Sequence, residues 1–323
     1  MSADRAAAPA AIGGALAVLY VFWGVTFLAI RVAVLDGVPP LVVIAIRCAG
    51  GAALLHAWML ARGGAVRASA AEWRTAVIAG AFLFLGCHAV MAWAEQRVSS
   101  REAALFLTTI PLWLVVLSAL RARVPPSARI VAGLAVGTLG VAVLAAGDTA
   151  WSGTLTDRVA LALCGLSWAI GSLVARHGAR PASAVQSTAM QLAAGGAILT
   201  FAALVTGDAA RWTPADATPR AALSLAFLVV CGTVLGFGAY TWLLRVTTPA
   251  AVGSYAYVNP VVALALAWAV GDGELSPRTA LAAALVLAAV FLTRDTTRAA
   301  PPAATGRAGV SRPATAPMLG GRE

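Results

Sequence analysis

The sequence predicts an all-α integral membrane protein of about ten transmembrane helices, arranged as two five-helix repeats of inverted topology. Three observations lead to this prediction: few charged residues, a series of long apolar segments, and a second half that resembles the first. Charged residues make up 11% of the chain, whereas a soluble globular protein contains about 25%. So few charges cannot cover a water-facing surface, and lipid must therefore be the main solvent of the folded chain.

The apolar segments have the length that a membrane requires, since a transmembrane helix needs about 20 mostly apolar residues. Short breaks rich in Pro, Gly and Arg separate these segments, as at Pro39-Pro40 and Pro125-Pro126. The ten predicted spans are residues 11–30, 40–60, 75–94, 99–120, 128–147, 158–175, 184–206, 221–243, 250–270 and 278–294.

The second half of the chain repeats the first. The segment LYVFWGVTFLAIR aligns with LCGLSWAIGSLVAR, which places Trp23 on Trp168 and Arg31 on Arg176. Each half has an odd number of predicted spans, so two halves joined in sequence have opposite orientations in the membrane. Repeats of this kind place a solute site near the midplane between the halves. The pattern therefore favours transport over simple anchoring.

Two further matches follow in the same order along the chain. The segment IRCAGGAALL aligns with MQLAAGGAIL, which sets Arg47 on Gln191. A constant offset of 149 residues then sets Pro111 on Pro260. A single match between apolar segments would mean little, but ordered matches that include two mid-span prolines indicate a true internal repeat.

The placement of arginine predicts the orientation, because basic residues are enriched in cytoplasmic loops. With a cytoplasmic N-terminus, fifteen arginines fall in cytoplasmic segments and seven in external ones. The predicted organisation is a cytoplasmic N-terminus (1–10), a first repeat (11–147), a second repeat (158–294) and a disordered cytoplasmic tail (295–323). Both termini of this multi-pass cell-membrane protein are then cytoplasmic.

Composition and motifs argue against several other classes. The net charge of +10 does not indicate nucleic-acid binding, since the arginines lie between apolar runs rather than on one face. The cysteines and histidines show no metal-ligand spacing, and no lysine is present to complete a phosphate-binding loop. Apart from Arg47, the spans contain almost no ionisable groups. An enzyme, a cofactor and a metal site are therefore not expected, and the alternative to a transporter is a membrane scaffold or sensor subunit.

Two tryptophans at equivalent positions are candidates for a cavity wall. Trp23 and Trp168 lie in mid-span rather than at the membrane interface where tryptophan is usually enriched. Thr26 and Ser172 each lie about one helical turn further on, so each shares a face with its tryptophan. Their hydroxyls could donate to a solute or bond to their own helix, and the indoles could equally serve helix packing.

The mid-span prolines Pro111 and Pro260 are expected to interrupt their helices, because proline removes a backbone donor and frees an upstream carbonyl. Freed groups at membrane depth need a protein partner or a cavity, and broken helices often mark transporter sites. Polar side chains lie close to both prolines, and these are Thr108, Thr109, Tyr255, Tyr257 and Asn259.

Arg47 lies roughly 10 Å into its span, at a rise of about 1.5 Å per residue. A central arginine costs about 2.5–3.5 kcal/mol on insertion scales, so it requires a partner or a watery cavity. Glu95 is predicted at a comparable height, and we expect Arg47 to pair with it or to share a polar network with Gln96. An outer gate and direct solute contact remain equal alternatives for Arg47.

His88 is a lone histidine among apolar neighbours. Such a histidine usually serves packing, although its charge can change near neutral pH, so it could also carry a proton. The candidate solute-contacting residues are Trp23, Thr26, Arg47, His88, Trp93, Thr109, Trp168, Ser172, Tyr255, Tyr257 and Asn259. The candidate gating or structural residues are Arg31, Glu95, Gln96, Pro111, Gln191 and Pro260.

Three segments resemble a known family. They are WGVTFLAIRVAVLDGVPPLVVIAIR (23–47), WAEQRVSSREAALFLTTIPLW (93–113) and AYTWLLRVTTPAAVGSYAYVNPVVALALAWAVGDGELS (239–276). They are similar to the EamA family of the drug/metabolite transporter superfamily. The resemblance implies ten helices, cytoplasmic termini, a cavity between the repeats, and export of metabolites or amino-acid-like compounds.

The expected partners are a small-molecule solute and membrane lipid. An aromatic, hydroxyl-lined and weakly charged cavity would suit a small amphipathic molecule better than a polyanion. The mode of energy coupling stays open between protons, exchange and facilitated movement. The candidate proton sites are Glu95, His88 and Glu274.

Overall fold

The computed structural model describes residues 8–64, 67–145, 153–269 and 277–293. Within these ranges every regular element is helical and none is a strand, which confirms the all-α prediction. The predicted tail (295–323) and Glu274 lie outside the described residues. The helices are α1 (Pro9–Leu35), α2 (Pro40–Ala61), α3 (Ala70–Ala94), α4 (Ser100–Leu107), α5 (Ile110–Ala122), α6 (Ala128–Ala145), α7 (Leu155–His177), α8 (Ala184–Val205), α9 (Pro219–Val246), α10 (Pro249–Gly253), α11 (Tyr255–Ala269) and α12 (Pro277–Thr293).

Helix length and composition agree with a membrane bundle. In the described part of the chain, seven helical segments are long and apolar enough to cross a membrane: α1, α2, α3, α4 with α5, α7, α8 and α9. The other three predicted spans correspond to the shorter helices α6, α11 and α12. Large apolar side chains such as Leu120, Phe201 and Phe291 are about two-thirds exposed. A surface of this kind is suited to lipid contact.

The helices of the two halves begin with equivalent caps. The Ser69 hydroxyl accepts from the Glu72 amide at 3.3 Å, and 149 residues later the Thr218 hydroxyl accepts from the Ala221 amide at 3.0 Å. The Ser99 hydroxyl accepts from the Glu102 amide. The Thr248 hydroxyl, again 149 residues later, accepts from the Ala251 amide. Such caps satisfy donors that have no partner inside the helix. The repeat seen in the sequence is therefore also present in the local structure.

Small residues allow the helices to approach closely, as is common in membrane bundles. α2 packs along α8, its counterpart in the repeat, and a Cβ on Gly196 would lie 3.2 Å from the Ala49 amide nitrogen. α6 packs along α12 in the same way, and a Cβ on Gly133 would lie 2.8 Å from the Thr293 side chain. The Ala-Gly-Gly segments that align the two halves thus lie at a helix crossing.

We expect Gly80→Ala to lower stability by about 1–3 kcal/mol, the usual cost of overpacking. A Cβ at Gly80 of α3 would lie 3.0 Å from both the Gln191 carbonyl oxygen and the Gly195 amide nitrogen of α8. Backbone atoms on a packed helix cannot move aside as a side chain can. The melting temperature of the purified protein measures the effect.

The matched control is Gly13→Ala in α1, since a Cβ there would meet no atom within 4 Å. Alanine has a higher helix propensity than glycine by about 1 kcal/mol, so the control should be neutral or slightly stabilising. Equal melting temperatures for both variants would contradict the close approach of α3 and α8.

Candidate functional site: a central aromatic cavity

A small cavity lies where the two halves of the chain meet. Its volume is about 30 Å³, which is room for only one or two water molecules. The residues that line it are at most 7% exposed, so the described conformation gives water little access to this point. The lining residues come from both halves, and they are Trp23, Thr26, Phe27, Arg47, Cys87, His88, Met91, Leu107, Ile110, Trp168, Tyr255 and Asn259.

Aromatic rings are prominent in the cavity wall. The ring centroid of Trp23 lies 5.5 Å from that of Trp168 and 4.7 Å from that of Tyr255, both in edge-to-face geometry. The His88 ring lies 5.0 Å from Trp168, also edge to face. The predicted symmetric tryptophans thus meet each other at the repeat interface. Edge-to-face contacts of this kind are favourable and hold the rings in place.

Three π-helical segments lie next to the cavity: residues Leu19–Trp23 of α1, Ala81–Ala89 of α3 and Leu228–Phe237 of α9. Such segments occur frequently at functional sites. The wider turn of a π-helix changes the hydrogen-bonding pattern of the backbone. In these segments, side chains bond to backbone carbonyl groups. The ring nitrogen Nδ1 of His88 lies 3.0 Å from the carbonyl oxygen of Leu83, five residues earlier.

Gly232, in the π-helical segment of α9, binds two side chains of the first half. Its carbonyl oxygen accepts from Trp23 Nε1 at 2.9 Å and from Arg47 Nη2 at 3.3 Å. Since both donors lie in the first repeat and the acceptor in the second, these bonds join the halves at the cavity. They also fix the indole and guanidinium orientations.

Arg47 does not pair with Glu95, so that prediction is wrong. Arg47 is only 1% exposed, and its Nε donates to Thr233 Oγ1 at 2.7 Å. Its Nη1 has no hydrogen-bond partner among the residues that the structure describes. The two residues were predicted at similar heights, but the side chain of Arg47 points towards α9 while Glu95 lies at the end of α3.

Glu95 is fully buried, and neither carboxylate oxygen has a hydrogen-bond partner in the described part of the chain. Gln96 is exposed and donates to the Trp93 carbonyl oxygen at 3.1 Å, outside any network with Arg47. Arg31 of α1 lies next to Glu95, but its Nη1 donates to the backbone carbonyl of Glu95 at 2.8 Å rather than to the carboxylate.

Arg31 and Arg176 occupy equivalent positions and make equivalent bonds. Arg31 Nη1 donates to the carbonyl oxygens of Glu95 and Val98, just beyond α3. Arg176 Nη1 donates to the carbonyl oxygens of Leu244 and Thr247, at the end of α9, at 2.5 and 2.7 Å. Each acceptor in the second half lies 149 residues after its counterpart. The last carbonyls of a helix have no partner inside it, so each arginine ties the end of one helix to another.

The hydroxyls predicted beside the tryptophans bond to their own helices. Thr26 Oγ1 donates to the Phe22 carbonyl oxygen at 2.9 Å, and Ser172 Oγ to the Trp168 carbonyl oxygen at 2.6 Å. Thr26 still lines the cavity. Ser172 instead lies behind the wall, where its hydroxyl is 2.5 Å from the hydroxyl of Tyr240.

Other predicted solute contacts lie away from the cavity. Trp93 is 39% exposed and stacks under Arg97, whose Cζ is 4.1 Å from the ring centroid. Thr109 lies against Gly165 of α7. Tyr257 is buried in a separate cluster, with a 3.5 Å hydrogen bond to the carbonyl oxygen of Leu134. None of the three lines this cavity, because helix rotation directs each ring or hydroxyl to another neighbour, and their contact with a solute stays a prediction.

Gln191, the counterpart of Arg47, also remains outside the cavity lining. It is 3% exposed, and its amide donates to Ser187 Oγ at 3.2 Å within α8. Asn259 does line the cavity, and its Oδ1 is buried with no hydrogen-bond partner.

The two prolines have different effects on their helices. Thr108 and Thr109 form a turn between α4 and α5, so the chain breaks just before Pro111 as predicted. Pro260 lies inside α11, and the break in that region falls at Ser254 instead. The predicted interruption at Pro260 is therefore wrong. α11 begins only five residues before Pro260, so the missing amide affects a single carbonyl near the start of the helix.

Sequence reasoning missed Met91 and Tyr240. Met91 lines the cavity, and the Tyr240 ring lies 5.1 Å from Trp23 and 5.2 Å from Trp168. The two residues are separated by 149 positions, the same offset that aligns the prolines. Applying that offset to every polar or bulky residue near a tryptophan would have identified both.

A cavity enclosed by two repeated halves, within a bundle of long apolar helices, defines a multi-pass membrane protein of two-repeat architecture. The model of the EamA-like transporter family matches residues 11–146 and again residues 158–294. The chain belongs to the EamA-like transporter family, which confirms the resemblance found in the sequence.

The curated relatives agree with this assignment. The chain is 31% identical to the uncharacterized inner membrane transporter YedA of Escherichia coli (strain K12), over 86% of this chain and 89% of YedA. YedA of Escherichia coli O157:H7 matches with the same identity and coverage. A solved crystal structure superposes with a TM-score of 0.70 at 22% identity, over 89% of this chain and 97% of its own, and supports the fold alone. The protein is thus a membrane transporter and a multi-pass protein of the inner membrane.

Proposed function

We propose that this protein is a secondary transporter that exports a small metabolite or amino-acid-like solute by alternating access at the interface of two inverted repeats. The observation that supports this most is the closed aromatic cavity between the halves, with Trp23 from one and Trp168 from the other in direct contact. A cavity of about 30 Å³ must widen before a solute can enter. Transport therefore requires another conformation.

The proposed topology has ten membrane spans, with both termini in the cytoplasm. Its support is the odd number of apolar segments per repeat and the bias of arginine towards cytoplasmic segments. In this topology Arg31 and Arg176 lie at opposite ends of the cavity. Each would close one side, since each ties the end of α3 or α9 to another helix.

We also propose that transport is coupled to protons through Glu95. Its carboxylate is buried without a hydrogen-bond partner from any described residue, and an ionised group is costly to bury in that state. Glu95 follows Met91, a cavity residue, by one helical turn. A proton could therefore be taken up or released as the cavity opens and closes.

Ligand binding tests the proposed site. In a panel of amino acids and neutral metabolites, at least one compound should raise the melting temperature and change the tryptophan fluorescence of the wild type. Trp23→Ala and Trp168→Ala should weaken that binding at least tenfold, because each removes a ring of the cavity wall. Proteoliposomes loaded with the same compound should then release it faster than protein-free vesicles.

Trp58→Ala is the matched control, since Trp58 is 48% exposed and lies beneath Arg62, away from the cavity. It should bind the compound as the wild type does. Failure of every compound to bind or move, together with a fixed protein partner that co-purifies, would replace this proposal with that of a scaffold or sensor subunit.

A further inference from the structure

Three residues that line the cavity carry a buried polar atom without a hydrogen-bond partner among the described residues. These atoms are Arg47 Nη1, Trp168 Nε1 and Asn259 Oδ1, and the three residues are 1%, 2% and 2% exposed. Buried polar groups are nearly always hydrogen-bonded. Two unpaired donors and one unpaired acceptor on the same cavity therefore indicate that a ligand supplies the complementary groups.

The charge of the cavity is positive. Among the described residues that line it, Arg47 is the one charged side chain, and none is an aspartate or glutamate. The lining residues Cys87 and His88 are not carboxylate counterions either. A guanidinium in such surroundings attracts an anion strongly, since water does not screen it.

The remaining bonds of Arg47 limit which anion fits. Nε is committed to Thr233 and Nη2 to the Gly232 carbonyl oxygen, so Nη1 alone remains unpaired. Together with Trp168 Nε1, it offers two donors, one for each oxygen of a single carboxylate, whereas a phosphate dianion needs further donors. The aromatic rings of Trp23 and Trp168 would contact an apolar body, and Asn259 Oδ1 would accept from an amine or hydroxyl of the ligand.

We propose that the cavity binds a monocarboxylate with an apolar body and a nearby hydrogen-bond donor, and that Arg47 selects the carboxylate. This inference rests on the proposed function, because it names the class of solute for the same site. The carboxylate replaces the missing partner of Nη1, and the donor replaces that of Asn259. Neutral and cationic analogues of the same shape leave Arg47 unpaired and bind weakly.

Three probes with one apolar body test the charge preference: 3-phenylpropionate, 3-phenylpropanamide and 2-phenylethylamine. Binding to the purified wild type is measured by thermal stability and tryptophan fluorescence. We expect the carboxylate to bind at least tenfold more tightly than the amide and the amine. Phenyllactate, which adds a hydroxyl donor, should bind more tightly than 3-phenylpropionate, and Asn259→Leu should remove that difference.

Arg47→Gln should weaken carboxylate binding at least tenfold and leave amide binding unchanged, while Arg47→Lys should retain part of the preference. Arg129→Gln removes an exposed arginine that bonds to the Phe291 carbonyl oxygen, and it should bind all probes as the wild type does. Size-exclusion profiles and melting temperatures identify any variant that is misfolded. If Arg47→Gln is misfolded, Arg47→Lys takes its place in the comparison with the wild type.

The outcomes separate the inference from the proposed function. Equal binding of carboxylate and amide by the wild type, or an unchanged preference in Arg47→Gln, overturns the inference and leaves the transporter proposal standing. The same holds if none of these probes binds while other solutes bind at Trp23 and Trp168. If neither these probes nor the amino acids and neutral metabolites bind, the inference and the proposed function are both wrong.

Discussion

Arg31→Ala should expose the central cavity to reagents from the outside of the cell, and Arg176→Ala should expose it from the cytoplasm. Each guanidinium donates to two carbonyls at the end of a helix, on α3 or on α9. A hydrogen bond to a charged group contributes about 1.5–3 kcal/mol. Losing one such bond would raise the population of the open state by roughly tenfold or more, since about 1.4 kcal/mol corresponds to a factor of ten.

Cys87 is a suitable reporter, because it lines the cavity and is fully buried in the closed state. The other three cysteines, Cys48, Cys164 and Cys231, are replaced by alanine. A membrane-impermeant maleimide is then applied to spheroplasts and to inside-out vesicles. The variant that retains only Cys87, called the parent, should be labelled weakly from either side. Adding Arg31→Ala should increase labelling from the outside, and adding Arg176→Ala should increase it from the cytoplasmic side.

Arg129→Ala serves as the control, since this exposed arginine lies at the start of α6 and bonds to the Phe291 carbonyl oxygen of α12 rather than to the end of α3 or α9. It should be labelled like the parent. Labelling of Arg31→Ala and Arg176→Ala from the same side would contradict the inverted arrangement, while no labelling of either would show that these arginines do not close the cavity.

The sequence predicted the positions of the helices and the equivalence of the two tryptophans as candidates for a cavity wall. These features depend on information that is local in the chain: hydrophobic length sets a span, and an internal repeat relates Trp23 to Trp168. The repeat also related Arg31 to Arg176, and the structure gives both the same type of acceptor. Features of this kind can be read from one chain without knowledge of how its helices pack.

The partner of Arg47 could not be predicted in the same way. Position along a helix gives depth at about 1.5 Å per residue, and depth made Glu95 a reasonable partner. The direction of the side chain around the helix axis depends on tertiary packing, and here it leads to Thr233 and Gly232 on α9. The same limit explains Tyr257, which is close in sequence to the cavity residue Tyr255 but packs against α6.

The π-helical segments also could not be predicted from sequence patterns. A wider turn shifts every later side chain around the axis, so the face expected from a 3.6-residue period is wrong beyond it. His88, within the segment Ala81–Ala89, reaches the cavity beside Trp168. The segment Leu228–Phe237 likewise presents the Gly232 carbonyl to Trp23 and Arg47. The chemistry of the site thus depends on backbone geometry that residue types alone do not specify.

Glu95→Gln should abolish the dependence of transport on a proton gradient while leaving solute binding intact. Both carboxylate oxygens are buried, and within the described ranges neither has a hydrogen-bond partner. The ionisable groups that influence it are Arg31 of α1 and Cys164 of α7. Burying an ionised carboxylate without a partner is costly, so opening and closing of the cavity would favour different protonation states of Glu95. Glutamine has a similar shape but cannot carry the proton.

Transport is measured in proteoliposomes with and without an imposed pH gradient, for a solute that the fluorescence assay has identified. The wild type should transport several-fold faster with the gradient, and Glu95→Gln should show one rate under both conditions. Glu72→Gln is the control, because Glu72 caps α3 from the exposed side and glutamine can also serve in that capping position. A gradient dependence that survives in Glu95→Gln would assign Glu95 a structural role beside Arg31. Its carboxylate would then act in closing that end of the cavity and not in energy coupling.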